Sequence, residues 1–165
     1  MKPLIILCTL CATVVSPLAA QMPKYGVTVR AEKDVDFAKL KTYSWTQGQP
    51  SANKTIDAQI VAAVDRELSA LGMTKAASGP GDVLAAYYSL SRTDVDVKAK
   101  PDDKGVSPSY SVGTLMVALL EPGSRRRLLR LRIDKPIDAE PARLEATINA
   151  AVAELFAKYP TRQHK

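Results

Sequence analysis

Two spacings of apolar residues organise this chain. In YGVTVRA (25–31) and KTYSW (41–45) apolar and polar positions alternate, so each segment reads as a strand with one apolar face. Elsewhere apolar residues recur every three or four positions, the signature of a helix with one buried stripe. Ile56, Ile60, Val64, Leu68 and Leu71 form such a stripe in TIDAQIVAAVDRELSALG. Asn53 or Thr55 can cap its start, Asp57 suits the first turn, and Gly72 suits the position after its end. Leu144, Ile148, Val152, Leu155 and Tyr159 form a second stripe in DAEPARLEATINAAVAELFAKYP. Asp138 and Glu140 favour its start, and Pro160 stops it.

Three further strands complete the pattern. VLAAYYSLS (83–91) follows a Gly-Pro boundary and carries a tyrosine pair, which favours strand over helix. YSVGTLMVALL and RRRLLRLRI flank EPGS, where Gly123 can supply the positive φ of a type II turn, so the two read as a hairpin. TDVDVKAKPDDKGVSPS (93–109) mixes charges without periodicity and reads as a long flexible loop. The order is therefore β-β-α-β-β-β-α. The predicted fold is α+β, a largely antiparallel sheet of about five strands with both helices on one face. Tyr43 and Trp45 share a strand face, and with Phe37 they are expected to be core and not a ligand platform. A fully exposed Trp45 would overturn that expectation.

Composition changes the picture little. With 46% hydrophobic and 24% charged residues in 165, the chain is globular, and one domain is the default. The first residues matter more. MKPLIILCTLCATVVSPLAAQ has a basic start, a short apolar run and a small-residue end, the pattern of a secretory signal peptide over 1–20. The expected mature chain is then a single domain over 21–165 with a frayed tail at 161–165, periplasmic or secreted, and without a transmembrane segment. Both cysteines, Cys8 and Cys11, fall inside the apolar run. Cys11 follows Leu10 and comes too early for a lipid anchor, so the expected protein is not a lipoprotein. Thiol catalysis, disulfides and thiolate metal sites are excluded from the mature chain.

VDFAKLKTYSW, LSALGM, GDVLAAYYSL, TLMVALLEPGSRRRLLRLRI and FAKYP, in that order, resemble the domain-of-unknown-function 4136 family from about Val27 to Pro160. The resemblance implies a secreted or lipid-anchored protein of the bacterial cell envelope with no assigned activity. Many relatives carry an anchoring cysteine that is missing here. Relatives also often place a tryptophan and a glycine in the last strand, where this chain reads LLRLR with Arg130 and Arg132.

Catalytic chemistry finds little support. The only histidine, His164, stands in the C-terminal tail, a poor place for a triad. Asp34 and Asp36, Asp94 and Asp96, and Asp102 and Asp103 are paired carboxylates in polar segments, but they lack the calcium-loop pattern. GPGD lacks the Lys-Ser/Thr of a phosphate loop. No enzyme activity, metal or cofactor is expected.

The strongest charge feature is RRRLLRLR. Arg125, Arg126, Arg127, Arg130 and Arg132 place five guanidinium groups in eight residues. On a strand, Arg130 and Arg132 share a face with Leu128, while Leu129, Leu131 and Ile133 point the other way. These five arginines are the candidate anion- or partner-binding residues. Their partner is expected to be an envelope protein or an anionic envelope component: a lipid headgroup, lipopolysaccharide or peptidoglycan. The leader argues against nucleic acid, so none is expected. The bland alternative is a solvated sheet face or a charged edge strand that resists pairing. Two other readings stand behind this one. One is a carrier of a small apolar ligand between helices and sheet, lined by Trp45, Tyr87 and Tyr88. The other is a periplasmic hydrolase using paired carboxylates.

Overall fold

The computed structural model describes residues 25–137 and 141–163. The expected leader with both cysteines, the helix-start charges Asp138 and Glu140, and His164 lie outside the described residues.

Among the described residues, six strands form one sheet: β1 (Gly26–Ala31), β2 (Thr42–Trp45), β3 (Thr74–Lys75), β4 (Val83–Val95), β5 (Ser109–Leu120) and β6 (Arg127–Pro136). Their order across the sheet is β1-β6-β5-β4-β2-β3. The four strands from β1 to β4 pair antiparallel, whereas β2 is parallel to both β4 and β3. The sheet is therefore mixed and six-stranded, not the five-stranded, largely antiparallel sheet expected. Helix α1 (Lys54–Ala70) is the reason for the parallel part, because it carries the chain from the end of β2 back to the end where β2 began. β3 escapes the apolar pattern because two residues are too short to alternate. β4 runs on to Val95 and pairs there with Ser109, so residues 93–95 belong to a strand and the connection is 96–108.

Local signals at the helix ends act as expected. The Asn53 side chain accepts hydrogen bonds from the amides of Thr55 and Ile56, which makes Asn53 the N-cap of α1. Gly72, with φ at 81°, takes the left-handed position after it. A short 3₁₀ turn (Pro141–Arg143) leads into α2 (Leu144–Phe156). Both helices lie on one face of the sheet. Ile60, Val64 and Leu68 from α1, and Ile148, Val152, Leu155 and Phe156 from α2, pack with Val83, Ala85, Tyr87, Val117, Leu119, Leu129, Leu131 and Ile133 in one core. Each fully buried aliphatic or aromatic side chain there contributes roughly 1.5–3 kcal/mol.

The aromatic segment DFAKLKTYSW is core. Tyr43 is 2% exposed, Phe37 is buried, and Trp45 is half-buried with its ring edge-on to Tyr87 at 6.1 Å. One carboxylate on α1 satisfies both polar tips. Asp65 Oδ1 accepts from the Tyr43 hydroxyl at 2.7 Å and from Trp45 Nε1 at 2.8 Å. Burial, and then this hydrogen bond, push the Tyr43 phenol well above its usual range. The other end of the core is less well satisfied. The buried Tyr159 ring packs against Phe37 and Phe156, but its hydroxyl has no hydrogen-bond partner among the described residues. Burial pushes that phenol up to about 12. Tyr159→Phe is therefore expected to leave stability unchanged or raise it by about 1 kcal/mol, because it removes an unpaired buried hydroxyl. Chemical denaturation monitored through Trp45 measures this, and a clear loss of stability would mean that the hydroxyl has a partner.

Candidate functional site

The sheet face away from the helices carries the charge. β6 has a register irregularity opposite Leu119 and Leu120, and both Leu128 and Leu129 are buried in the core. Leu128 therefore does not share a face with Arg130 and Arg132 as strict alternation predicts, because an irregularity of this kind changes which face a residue meets. Beyond it alternation resumes. Leu129, Leu131 and Ile133 enter the core, and Arg130 and Arg132 stand on the outer face. Arg130 is directly opposite Arg30 on β1 and Ala118 on β5, and Arg132 is opposite Thr28 and Met116.

The five sequence-marked arginines separate into two groups. Arg125 stands in the turn with φ at 60° and donates to the Thr46 hydroxyl at 2.6 Å. Arg126 pairs with Asp34 at 3.1 Å and with Glu121 at 3.7 Å. Arg132 grips Asp134 through Nε at 2.8 Å and Nη2 at 2.9 Å. Arg127 and Arg130 have no hydrogen-bond or ion-pair partner among the described residues, and neither has Arg30, which the sequence pattern did not mark. Burial, and then the neighbouring charges of Arg30, Arg127 and Arg132, lower the pKa of Arg130. The candidate site is thus Arg30, Arg127 and Arg130, with the buried Ala118 and, on the next strand, Ala86 beside Arg130. Arg30 was missed because its role depends on the pairing of β1 with β6, which no local pattern shows. The EPGS turn also differs from a type II turn. Gly123 takes a positive φ of 85°, but Glu121 O accepts from Arg125 N, so the loop is one residue longer.

Beside the cluster lies a carboxylate network that was likewise illegible. Asp134 is 7% exposed and accepts from Thr114 Oγ1 at 2.6 Å, from Arg92 Nη1 at 3.1 Å and from both nitrogens of Arg132. Burial alone would raise its pKa. The hydrogen bonds from Arg132, Thr114 and Arg92 outweigh burial and bring it to about 2. Arg92 also holds Asp94 through Nε at 2.9 Å, and that hydrogen bond keeps Asp94 below the usual carboxylate range. Asp94 in turn accepts from the Tyr25 hydroxyl, which contacts the Tyr110 hydroxyl. Three strands, β4, β5 and β6, meet in this network, together with Tyr25 just before β1.

The other expected carboxylates act in turns. Asp36, Asp96 and Asp102 accept from backbone amides two to four residues ahead. Asp82 of GPGD accepts the amides of Lys41 and Thr42, which pins the start of β2 and lowers its pKa. Among the described residues, no three His, Cys, Asp or Glu side chains gather into a metal-holding group. No described helix is long and apolar enough to cross a membrane.

The helix side of the sheet holds a cavity of about 590 Å³ between the N-terminal halves of α1 and α2 and the far end of the sheet. It is not where the aromatic residues pointed. Trp45 and Tyr87 pack on each other in the core, the Tyr87 hydroxyl is engaged by Asp57, and Tyr88 lies across from Met116 on the outer face. None of the three lines the cavity.

Comparison with known proteins now adds a family. The profile of a family described as a domain of unknown function (DUF4136) matches residues 27–161. A comparison with curated proteins found no match. Among solved structures, a PDZ domain protein from Parabacteroides distasonis is similar with a TM-score of 0.58 at 15% identity, covering 82% of this chain. This chain spans 35% of that one. The PelC dodecamer from Paraburkholderia phytofirmans is similar with a TM-score of 0.53 at 8% identity, covering 81% of this chain and 95% of that one. At these identities the likeness is one of fold.

Proposed function

This chain belongs to the DUF4136 family, and we propose that it is a non-catalytic protein of the bacterial cell envelope that binds a phosphate-bearing, anionic component of that envelope through Arg30, Arg127 and Arg130. The observation that carries this reading is the unpaired cluster itself. Arg30 and Arg130 stand directly opposite each other in the ladder. Like charges in that position destabilise a sheet. Locally unfavourable arrangements of this kind are expected where function requires them. Guanidinium forks match phosphate oxygens bidentately, and Arg30 and Arg127 are exposed to an approaching anion.

The envelope as compartment rests on the leader-like start of the chain and on the family resemblance. The non-catalytic part is supported by the carboxylates. Asp94 and Asp134 are both held below the usual range, and neither has the raised pKa of a general acid.

Co-sedimentation with phosphatidylglycerol vesicles and with lipopolysaccharide tests the proposal. Binding is expected at low ionic strength and should weaken steadily with salt. Each arginine near an anionic surface is worth about 1 kcal/mol. The triple variant Arg30→Gln, Arg127→Gln, Arg130→Gln should therefore bind about a hundredfold more weakly. Its melting temperature should not fall, because the like charges are relieved. Absence of binding by the unmodified protein at low salt, or equal binding by the triple variant, would sink the proposal.

A further inference from the structure

We infer that the cavity between the helices and the sheet is a binding site for a single acyl chain. It lies on the opposite face from the arginine cluster and does not depend on that reading. The sheet rows beneath the helices show why the cavity exists. Near the C-terminal ends of α1 and α2 the core holds Tyr43, Met73, Phe156 and Tyr159. Towards the N-terminal ends the helix-facing positions of β4 shrink, from Tyr87 to Ser89 and Ser91. One row across the sheet is Ser89, Leu115 and Ile133, and the next is Ser91, Gly113 and Lys135. A Cβ at Gly113 would lie 3.0 Å from the Ile137 side chain, which would then have to shift. The helices stay apolar above this floor. Ile56 and Ile60 of α1 and Leu144 and Ile148 of α2 form the walls. Small floor residues under aliphatic walls keep open a space that larger side chains would close.

The lining selects the ligand. Among the described residues that line the cavity, Lys135 is the one charged residue, and it is already held by Glu154. The other polar side chains are hydroxyls and amides, among them Ser51 and Asn53 near the start of α1. A peptide would bring backbone N–H and C=O groups that aliphatic walls cannot satisfy. A hydrocarbon chain brings none. Its headgroup would stay with the hydroxyl-bearing rim and Lys135. The space of about 590 Å³ is partly open to solvent and is of the size of one long acyl chain.

Isothermal titration of the purified protein with octanoate, dodecanoate and hexadecanoate tests this. Affinity should rise steeply with length, by up to about fourfold per buried methylene. Lysophosphatidylglycerol as a second ligand separates a free acid from a headgroup-bearing single-chain lipid as the source of the chain, and binding of either supports the site. Ser89→Leu with Ser91→Leu should reduce hexadecanoate binding at least tenfold without lowering the melting temperature, since it fills the floor. If that variant fails to fold, Thr147→Phe narrows the same cavity from the helix side and should also reduce binding. The arginine triple variant should keep full hexadecanoate affinity, which separates this site from the outer face. No binding of any chain length, affinity independent of length, or undiminished binding by folded filled variants would overturn the inference.

Discussion

Replacing Tyr43 by alanine is expected to destabilise the fold by about 4 kcal/mol, the range measured when large buried aromatic residues are removed. Tyr43 is among the largest fully buried side chains of the described residues. Its ring lies between β2 and α1, and its hydroxyl donates to Asp65. The alanine variant loses ring burial, opens a space that neighbouring backbone cannot close, and removes one donor to a helical carboxylate. Tyr43→Phe should lose only about 1 kcal/mol, because Asp65 keeps Trp45 Nε1 at 2.8 Å and Lys75 at 3.6 Å. Trp45→Ala should fall between the two, since its ring is half-buried. A domain of this kind has a total stability of roughly 5–15 kcal/mol, so the alanine variant is left marginal. Urea denaturation followed through the single tryptophan measures the Tyr43 series. A loss below about 1 kcal/mol for Tyr43→Ala would show that β2 is not part of the core.

Asp134→Ala is the second large effect, expected at about 2–3 kcal/mol. The variant leaves Arg92, Arg132 and Thr114 without their shared acceptor. Breaking a fully buried ion pair destabilises by about 3–5 kcal/mol. Here the Arg92 and Arg132 side chains keep 36% and 39% exposure, so water recovers part of the loss. The pH dependence follows from the same carboxylate. Its folded pKa lies near 2, below its ordinary value of 3.8, so folding favours the ionised form. That contribution is complete above about pH 4 and disappears as pH falls towards 2. Asp134→Asn should flatten this part of the acid limb relative to the unmodified protein. Equal acid limbs for the two proteins would show that Asp134 ionisation is not linked to folding.

The helices were legible because their signals are local. The i, i+3, i+4 stripe from Ile56 to Leu71, the Asn53 cap and Gly72 all lie within a few residues of what they determine. Strand existence was legible for similar reasons, since Gly26–Ala31 and Thr42–Trp45 alternate. Sheet pairing was not. Whether β2 lies parallel or antiparallel to β4 depends on where α1 sends the chain, and no residue of β2 records it. The arginine run shows the same division. Arg127 and Arg130 were marked by their density, yet the structure removes Arg125, Arg126 and Arg132 into contacts with Thr46, Asp34 and Asp134. Arg30 enters only because β1 pairs with β6.

From the sequence alone came the family, the two amphipathic helices, the aromatic segment as core and the basic strand, because each depends on neighbours in the chain. Only the tertiary structure decided which cations remain unpaired, which carboxylates hold the others, and where the helices leave a cavity above Ser89, Ser91 and Gly113. Those properties depend on distances between residues far apart in sequence. Charge pairing and cavity volume are set by how strands register and how helices seat, and neither is written at any single position.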